Sequence, residues 1–240
     1  MTSATQGHRS PLRPRIAVTM GDAAGIGPEV IVKAWQTHPE LFENAFVVGD
    51  VAVMRQAASL WARATQVLTM PPTMGQHHTR SKEQIQLPVM PAVQLPQPIR
   101  AGTISAACGA AAAQCVQLAA QMALRHEVDA LVTAPLNKEA MHLSGLEWAG
   151  HTEILAHEAG QAQGLSMPVP VRMMLMNPEL KVVLHSIHVP LQEAIRALTS
   201  ASLLETITIA HASGLEGPFS RNALNSLCAK SPLCWRSIVR

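Results

Sequence analysis

The sequence predicts an α/β fold built on a parallel sheet, and three stretches support this. Residues 15–20 are a short apolar run, and a glycine-rich turn and an amphipathic stretch follow them, as in the first half of a βαβ unit. Residues 105–125 form a long alanine-rich stretch with helical spacing of its apolar side chains. Residues 128–133 are apolar apart from Asp129, as expected of a parallel strand that is covered on both faces.

The bulk composition excludes several classes of protein. The chain has 240 residues, 48% of them hydrophobic and 14% charged, which is enough for one large or two small domains. Residues 218–240 hold 4 of the 18 basic side chains and no acid, so residues 1–217 carry 14 basic against 16 acidic groups, a net charge of −2. We find no signal peptide and expect no apolar run long enough to span a bilayer. The sequence therefore predicts a cytoplasmic protein with no nucleic-acid or membrane partner.

The four cysteines do not indicate a disulfide framework or a zinc site. They lie at positions 108, 115, 228 and 234, and no two of them form a CxxC pair. Cys108 and Cys115 are seven residues apart, on one face of the predicted helix. We expect both to be small buried apolar residues.

The first strand, residues 15–20, leads into a turn that contains Gly21, Asp22, Gly25 and Gly27. Pro28 suits the first position of the following helix. The turn is not a Walker A loop, and Val30 replaces the third glycine of the dinucleotide fingerprint. Two interpretations stay open: a tight turn that needs glycine, or an anion-accepting turn at a helix N-terminus.

The next elements are a strand at residues 45–49, which Asp50 follows, and a helix over residues 51–65. Residues 71–98 are rich in proline, glutamine and methionine and include His77 and His78. Adjacent histidines point in different directions, so we expect this pair to lie in a solvated loop rather than in a metal site.

The strand at residues 128–133 ends at Ala134-Pro135-Leu136-Asn137-Lys138-Glu139, where ligands bind in open α/β sheets. Lys138 is either a surface lysine or a contact for a phosphate or carboxylate. Gly150-His151-Thr152-Glu153 has the pattern of a helix start, with an acid in the first turn, and this helix should run to about residue 160. His151 belongs either to a plain capped helix or to a site where it acts as a metal ligand or an acid/base.

Two strands, residues 171–176 and 181–187, follow with a turn at residues 177–179, and residues 191–212 are helical in pattern. His185 and His188 are three residues apart, so in an extended chain they point to opposite faces. His188 is the better candidate for a cleft, and His185 is the better candidate for a packed or edge position.

Four motifs in order make the chain resemble the 4-hydroxythreonine-4-phosphate dehydrogenase family across about residues 15–200. They are Thr19-Met20-Gly21-Asp22-x-Ala24-Gly25-Ile26-Gly27-Pro28-Glu29, Thr133-Ala134-Pro135-Leu136-Asn137-Lys138, Gly150-His151-Thr152-Glu153 and His188-Val189-Pro190-Leu191. The resemblance implies a two-lobed α/β/α fold similar to isocitrate and isopropylmalate dehydrogenases. We place the first lobe at residues 15–130, an incomplete second lobe at 131–217 and an atypical tail at 218–240.

The resemblance also implies an NAD-dependent, divalent-metal-assisted dehydrogenase of vitamin B6 synthesis, with zinc, magnesium or cobalt as the metal. His151 and His188 match two of the family's three metal-binding histidines. Asn137 and Thr152 match substrate contacts, and Lys138 and Asp22 are our candidate catalytic residues. The residues that bind NAD are not indicated. The substrate would be a small phosphorylated hydroxy acid and the enzyme a homodimer.

Three departures from the family pattern matter. Ala23 stands where the family usually has proline. Asn137-Lys138 is found in branches that act on related four-carbon sugar-acid phosphates, so 4-phosphohydroxy-L-threonine and 4-phospho-D-threonate or erythronate both stay open. After about Gly214 the family's third metal histidine has no counterpart. We expect a truncated or frame-shifted copy that lacks the C-terminal part, and a non-catalytic remnant is the competing hypothesis.

Overall fold

The computed structural model of the chain describes residues 14–70, 85–177 and 179–212. The predicted loop with His77 and His78, the predicted tail at 218–240 and two of the cysteines, 228 and 234, lie outside these ranges. The chain divides into two compact units, one that runs to Ile154 and one that starts at Leu155.

The first unit is built on a five-stranded parallel sheet in the order β3-β4-β2-β1-β5. This arrangement confirms the predicted α/β class. In chain order its elements are β1 (Ile16–Thr19), α1 (Gly27–Thr37), a 3₁₀ turn (Pro39–Phe42), β2 (Ala45–Gly49), α2 (Val51–Trp61), β3 (Thr65–Thr69), β4 (Ile85–Pro91), α3 (Ala106–Leu124), β5 (Ala130–Thr133), α4 (Lys138–Leu143) and the start of α5 (His151–Ala162).

Helices cover both faces of the sheet. Consecutive residues of β1 and β2 are buried, including Ala17, Val18, Val47 and Val48, and consecutive side chains of a strand point to opposite faces. Helices α1 and α2 pack against each other, while α3 contacts β1, β2 and β5. Trp35 of α1 is fully buried, and its indole N–H donates to the carbonyl of Gln86 at 3.0 Å.

Two predictions in the first half of the chain are wrong. The helix predicted over residues 51–65 ends at Trp61, and Thr65 starts β3 instead. The second lies in the stretch 71–98, where no strand was predicted: it contains β4, which pairs with both β3 and β2. Its glutamine and two prolines break the alternating pattern by which a strand is recognised from sequence.

Helix α3 is a core helix of the first unit. By length and composition it could cross a membrane, so the prediction that no apolar run is long enough fails for this helix on that criterion. Its apolar character is explained by packing, because it contacts the sheet and α4. Cys108 and Cys115 are buried in it as predicted, and burial raises the pKa of the Cys115 thiol to about 12, with a smaller effect from the Asp50 charge.

The second unit contains a small antiparallel ribbon and two helices. Its elements after α5 are β6 (Met174–Met176), β7 (Lys181–Val183), α6 (Leu191–Ala197) and α7 (Ser200–Ala212). The two predicted strands are present but shorter. The single helix predicted over residues 191–212 is two helices, because Leu198 takes an extended conformation between them.

The predicted division into lobes at residue 130 stays a prediction. That boundary falls inside β5, and the structure pairs all four residues of β5 with β1 in the first sheet. A division after β5 therefore describes the sheet better than one within it.

Candidate active site

The carboxyl ends of β1 and β5 bring two of the sequence motifs together. The strands are adjacent and parallel, with Thr19 in register with Thr133, so the residues that follow each strand meet at one edge of the sheet. The backbone N–H of Asp22 donates to the carbonyl of Pro135 at 2.9 Å. Gly21 has a φ of 73°, and a Cβ at this position would lie 2.5 Å from the Pro135 oxygen. Only glycine fits this contact between the motifs.

The glycine-rich turn closes on itself and on β1. Asp22 accepts a hydrogen bond from the Ala24 N–H through Oδ1 at 3.0 Å. A Cβ on Gly27, the first residue of α1, would lie 2.4 Å from the carbonyl oxygen of Met20. These close approaches explain why both positions are glycine, as the tight-turn interpretation requires. Anion binding at the turn stays a prediction.

Asp22 is an ionisable side chain in a mostly apolar setting. It is buried, and burial raises the pKa of its carboxyl above 3.8, while the hydrogen bond from Ala24 opposes the shift. A carboxyl that takes up a proton more readily than usual can serve as an acid or base.

Asn137 and Lys138 stand at the start of α4. The Asn137 Oδ1 accepts the Ala140 N–H at 3.0 Å and so caps the helix, which leaves the side-chain NH₂ group as its donor for a ligand. Lys138 is exposed. Helix α4 lies very close to α3, since a Cβ on Gly109 would come within 2.2 Å of the backbone of Ala140.

His151 is attached to the same edge of the sheet. Its Nε2 lies 3.2 Å from the carbonyl oxygen of Ala134, the residue that follows β5. Burial lowers the pKa of the imidazole below 6.5, against smaller upward effects of the Ala134 hydrogen bond and the Glu153 charge. The lowered pKa favours the neutral ring, and if Nε2 carries the proton that the Ala134 carbonyl accepts, Nδ1 presents a lone pair. Thr152 follows it in the first turn of α5 and is half-buried.

These features fit a metal ligand. Metal-binding histidines are neutral and usually donate their other ring N–H to a carbonyl or carboxylate, which fixes the ring. His151 has this arrangement with Ala134.

His188, the second predicted metal ligand, lies in the second unit. It is exposed and has a φ of 55°, in the left-handed region. His185 lies within 2.9 Å of the Ser202 hydroxyl in α7, in keeping with the packed or edge position predicted for it. Among the residues that the structure describes, no three histidine, cysteine or acidic side chains gather as a metal site. The shared site of His151 and His188 therefore stays a prediction.

The segment between β4 and α3, which was not predicted as part of the site, approaches it from the side of β2. Asp50 is buried at the end of β2, and its Oδ1 caps α2 while its Oδ2 accepts the Leu95 N–H at 2.6 Å. Further along, the Gly102 N–H donates to the carbonyl of Ala24 in the glycine-rich turn at 2.7 Å. An aspartate between a strand and a helix signals a cap, but nothing in the sequence marks the contact of Gly102.

Comparisons with known proteins agree with the motifs. The family model described as "Pyridoxal phosphate biosynthetic protein PdxA" matches residues 42–220. A 4-hydroxythreonine-4-phosphate dehydrogenase of Beijerinckia indica is 35% identical over 196 residues, which cover 82% of this chain and 55% of the relative. A D-threonate 4-phosphate dehydrogenase of Bordetella bronchiseptica is 42% identical over 153 residues, which cover 61% of this chain and 42% of the relative.

Solved structures of such enzymes also have a similar fold. The crystal structure of a 4-hydroxythreonine-4-phosphate dehydrogenase from Klebsiella pneumoniae matches with a TM-score of 0.72 and 31% identity, over 85% of this chain and 59% of that one. The chain thus spans between 42% and 59% of the length of these three relatives.

Proposed function

Because the chain belongs to the family of the pyridoxal phosphate biosynthetic protein PdxA, we propose that it carries the site of an NAD-dependent, metal-assisted dehydrogenase for a small phosphorylated hydroxy acid. The observation that supports this most is that Asp22 is joined to Pro135 and His151 to Ala134, both in the segment that leads from β5 to Asn137. The proposal includes a cytoplasmic location and a homodimer.

We propose 4-phosphohydroxy-L-threonine as the substrate, in the synthesis of pyridoxal phosphate. Its 3-hydroxyl carbon would lose a hydride to NAD and the hydroxyl would lose a proton, which gives a ketone. The resulting β-keto acid then loses carbon dioxide. A bound divalent metal would lower the pKa of the hydroxyl and stabilise the negative charge left by decarboxylation.

Each candidate residue of the site would have its own role. The neutral ring of His151 would hold the metal through Nδ1, with His188 as a second ligand. The Asn137 NH₂ group, the Lys138 ammonium and the Thr152 hydroxyl would bind the anionic substrate. Asp22, whose raised pKa favours uptake of a proton, would exchange the proton of the reacting hydroxyl, and Lys138 is the second candidate for this role.

A second substrate is supported by the relatives. D-threonate 4-phosphate dehydrogenases of several bacteria match as well as the 4-hydroxythreonine-4-phosphate enzymes do, at 34% identity for that of Cupriavidus necator. The difference between the two substrates is an amino or hydroxyl group next to the carboxylate. An assay of NADH formation with both substrates, each with added zinc or magnesium, distinguishes them.

The metal is tested separately from turnover. We expect calorimetric titration with zinc to show binding that weakens in His151→Ala and in His188→Ala, while His38→Ala, an exposed histidine outside the site, binds as the wild type does. Binding that is unchanged in His151→Ala would contradict the assignment of this ligand. Metal binding without NADH formation on either substrate would favour the non-catalytic remnant.

A further inference from the structure

A cavity of the first unit lies between helix α2 and strand β3. It has a volume of about 410 Å³, and cavities of roughly 300–1,000 Å³ are the size at which proteins bind small molecules. The described residues that line it are Arg55, Ala58, Ser59, Arg63, Thr65 and Val67. We call this cavity the arginine pocket.

The arginine pocket is at the opposite edge of the sheet from the candidate active site. The strand order β3-β4-β2-β1-β5 puts β3 three strands away from β1 and four away from β5. Neighbouring strands lie about 4.8 Å apart, so β3 is about 14 Å from β1 and about 19 Å from β5. A ligand in the arginine pocket therefore does not occupy the site that follows β1 and β5.

Each arginine of the pocket is held by a hydrogen bond. Arg55 is on α2, and its Nη2 donates to the Thr69 hydroxyl of β3 at 3.1 Å. Arg63 follows α2, and its Nε donates to the carbonyl of Ser59, in the last turn of that helix, at 3.3 Å. Toward the residues that the structure describes, each guanidinium thus uses one of its five N–H donors, and the others can reach a ligand.

The two positive charges beside the arginine pocket have no acidic partner in the described part of the chain. The ion pairs found there use other cations, and the lining described above contains no aspartate or glutamate. Two like charges beside one cavity repel each other, and an anion between them removes this repulsion. Arginine is especially suited to phosphate, because its planar fork donates two parallel hydrogen bonds to phosphate oxygens.

A buried hydroxyl in the wall of the pocket also lacks a partner. Thr65 is 7% exposed, and its Oγ1 has no hydrogen-bond partner among the residues described. A buried hydroxyl without a hydrogen bond destabilises a fold. Because Thr65 lines the pocket, rotation about its Cα–Cβ bond would let the hydroxyl donate to an anion there. The Ser59 hydroxyl, in contrast, already donates to the Gln56 carbonyl at 2.8 Å.

We propose that the arginine pocket binds the phosphate group of a small phosphate monoester, with Arg55, Arg63 and the Thr65 hydroxyl as its donors. A phosphate group offers three terminal oxygens, one for each donor side chain, whereas a carboxylate offers only two. The site is separate from the candidate active site, and the proposal does not depend on the proposed dehydrogenase activity.

The test is an NMR titration of the full 240-residue chain with inorganic phosphate and with glycerol 3-phosphate, at constant ionic strength in chloride. We expect the Nε–H signals of Arg55 and Arg63 to shift and to saturate with both probes, and acetate to bind about tenfold more weakly than phosphate. Arg55→Gln and Arg63→Gln should each weaken phosphate binding by about tenfold, through loss of a charge-assisted hydrogen bond. Arg125→Gln is the matched control, because Arg125 is exposed and pairs with Glu127 at 2.7 Å, and it should bind as the wild type does.

Two more variants separate the pocket from the fold and from the candidate active site. Thr65→Val should weaken phosphate binding while its Tm in chloride is at least that of the wild type, because no buried hydroxyl is left without a partner. In Lys138→Ala the shifts of Arg55 and Arg63 should persist. Their loss in that variant would overturn the proposal, because the phosphate would then bind at the candidate active site.

The titration itself can also overturn the proposal. Shifts of Arg55 and Arg63 that do not saturate, or that are no larger than the shift of Arg125, would show screening of surface charge rather than a site. Acetate that binds as tightly as phosphate, or glycerol 3-phosphate that does not bind, would contradict the assignment of a phosphate monoester.

Discussion

Gly109→Ala tests the contact that positions α4 and, with it, Asn137 and Lys138. A Cβ at this position would lie 2.2 Å from both the carbonyl carbon and the oxygen of Ala140. In an exposed helix interior the same substitution stabilises by about 1 kcal/mol. Here the neighbouring atoms are backbone and cannot rotate away, so α4 must move, at a cost of about 3 kcal/mol at the upper end of overpacking.

The net change in the free energy of unfolding is therefore a loss of about 2 kcal/mol, which for a chain of this size lowers Tm by roughly 4–8 °C. Thermal unfolding followed by circular dichroism measures it. Gly150→Ala is the matched control, because its nearest neighbour would be the Glu153 carboxylate at 3.6 Å, an ordinary contact. A Gly109→Ala variant as stable as the wild type, or more stable, would refute the close packing of α3 on α4.

Three further outcomes follow from the ionisable groups. Burial raises the pKa of Asp22 in the folded chain, so the protonated carboxyl stabilises the fold fully below pH 3.8, and this contribution is lost as the pH rises through the folded-state pKa. Asp22→Asn should therefore be more stable than the wild type at pH 7 but not at pH 3, as measured by urea unfolding. Burial lowers the pKa of His151, so the contribution of its neutral ring to stability is complete above pH 6.5 and is lost as the pH falls through the folded-state pKa. NMR titration should give a lower pKa for this ring in the folded chain than in urea, and equal values would contradict its burial. Arg172→Ala leaves the buried Thr206 hydroxyl without its donor, so amide exchange in α7 should accelerate by about tenfold relative to Arg196→Ala, and equal exchange would show that Arg172 does not hold the helix.

The parts of the fold that could be predicted are those where one local signal dominates. The strand at 45–49 has the predicted bounds because it is apolar throughout, and Asp50 after it is a strong cap. The strand β4 could not be found, since its prolines and glutamine resemble a loop and only its pairing with β2 and β3 makes it a strand. Helix α7 could not be separated from α6 by periodicity, because the apolar pattern continues through Leu198.

The residues of the candidate site also differ in how well the sequence predicts their positions. The polar residues after β1 and β5 could be placed together because parallel strands share one carboxyl edge. The position of His151 could not be derived, since its contact with Ala134 joins residues 17 apart through the path of α4 and the turn after it. The contact of Gly102 with Ala24 joins residues still further apart and involves only backbone atoms, which leave no trace in the side-chain pattern.

The segment between β4 and α3 is tethered at two points, by Leu95 to the Asp50 carboxylate and by Gly102 to the carbonyl of Ala24. One of the six residues between these tethers, Ile99, packs against the hydrophobic core of the first unit, so the stretch is held by a side chain as well as by backbone. Since one tether is the glycine-rich turn itself, a change of length in this stretch would act on the turn that holds Asp22. The stretch therefore couples the packing of the core to the conformation of that turn.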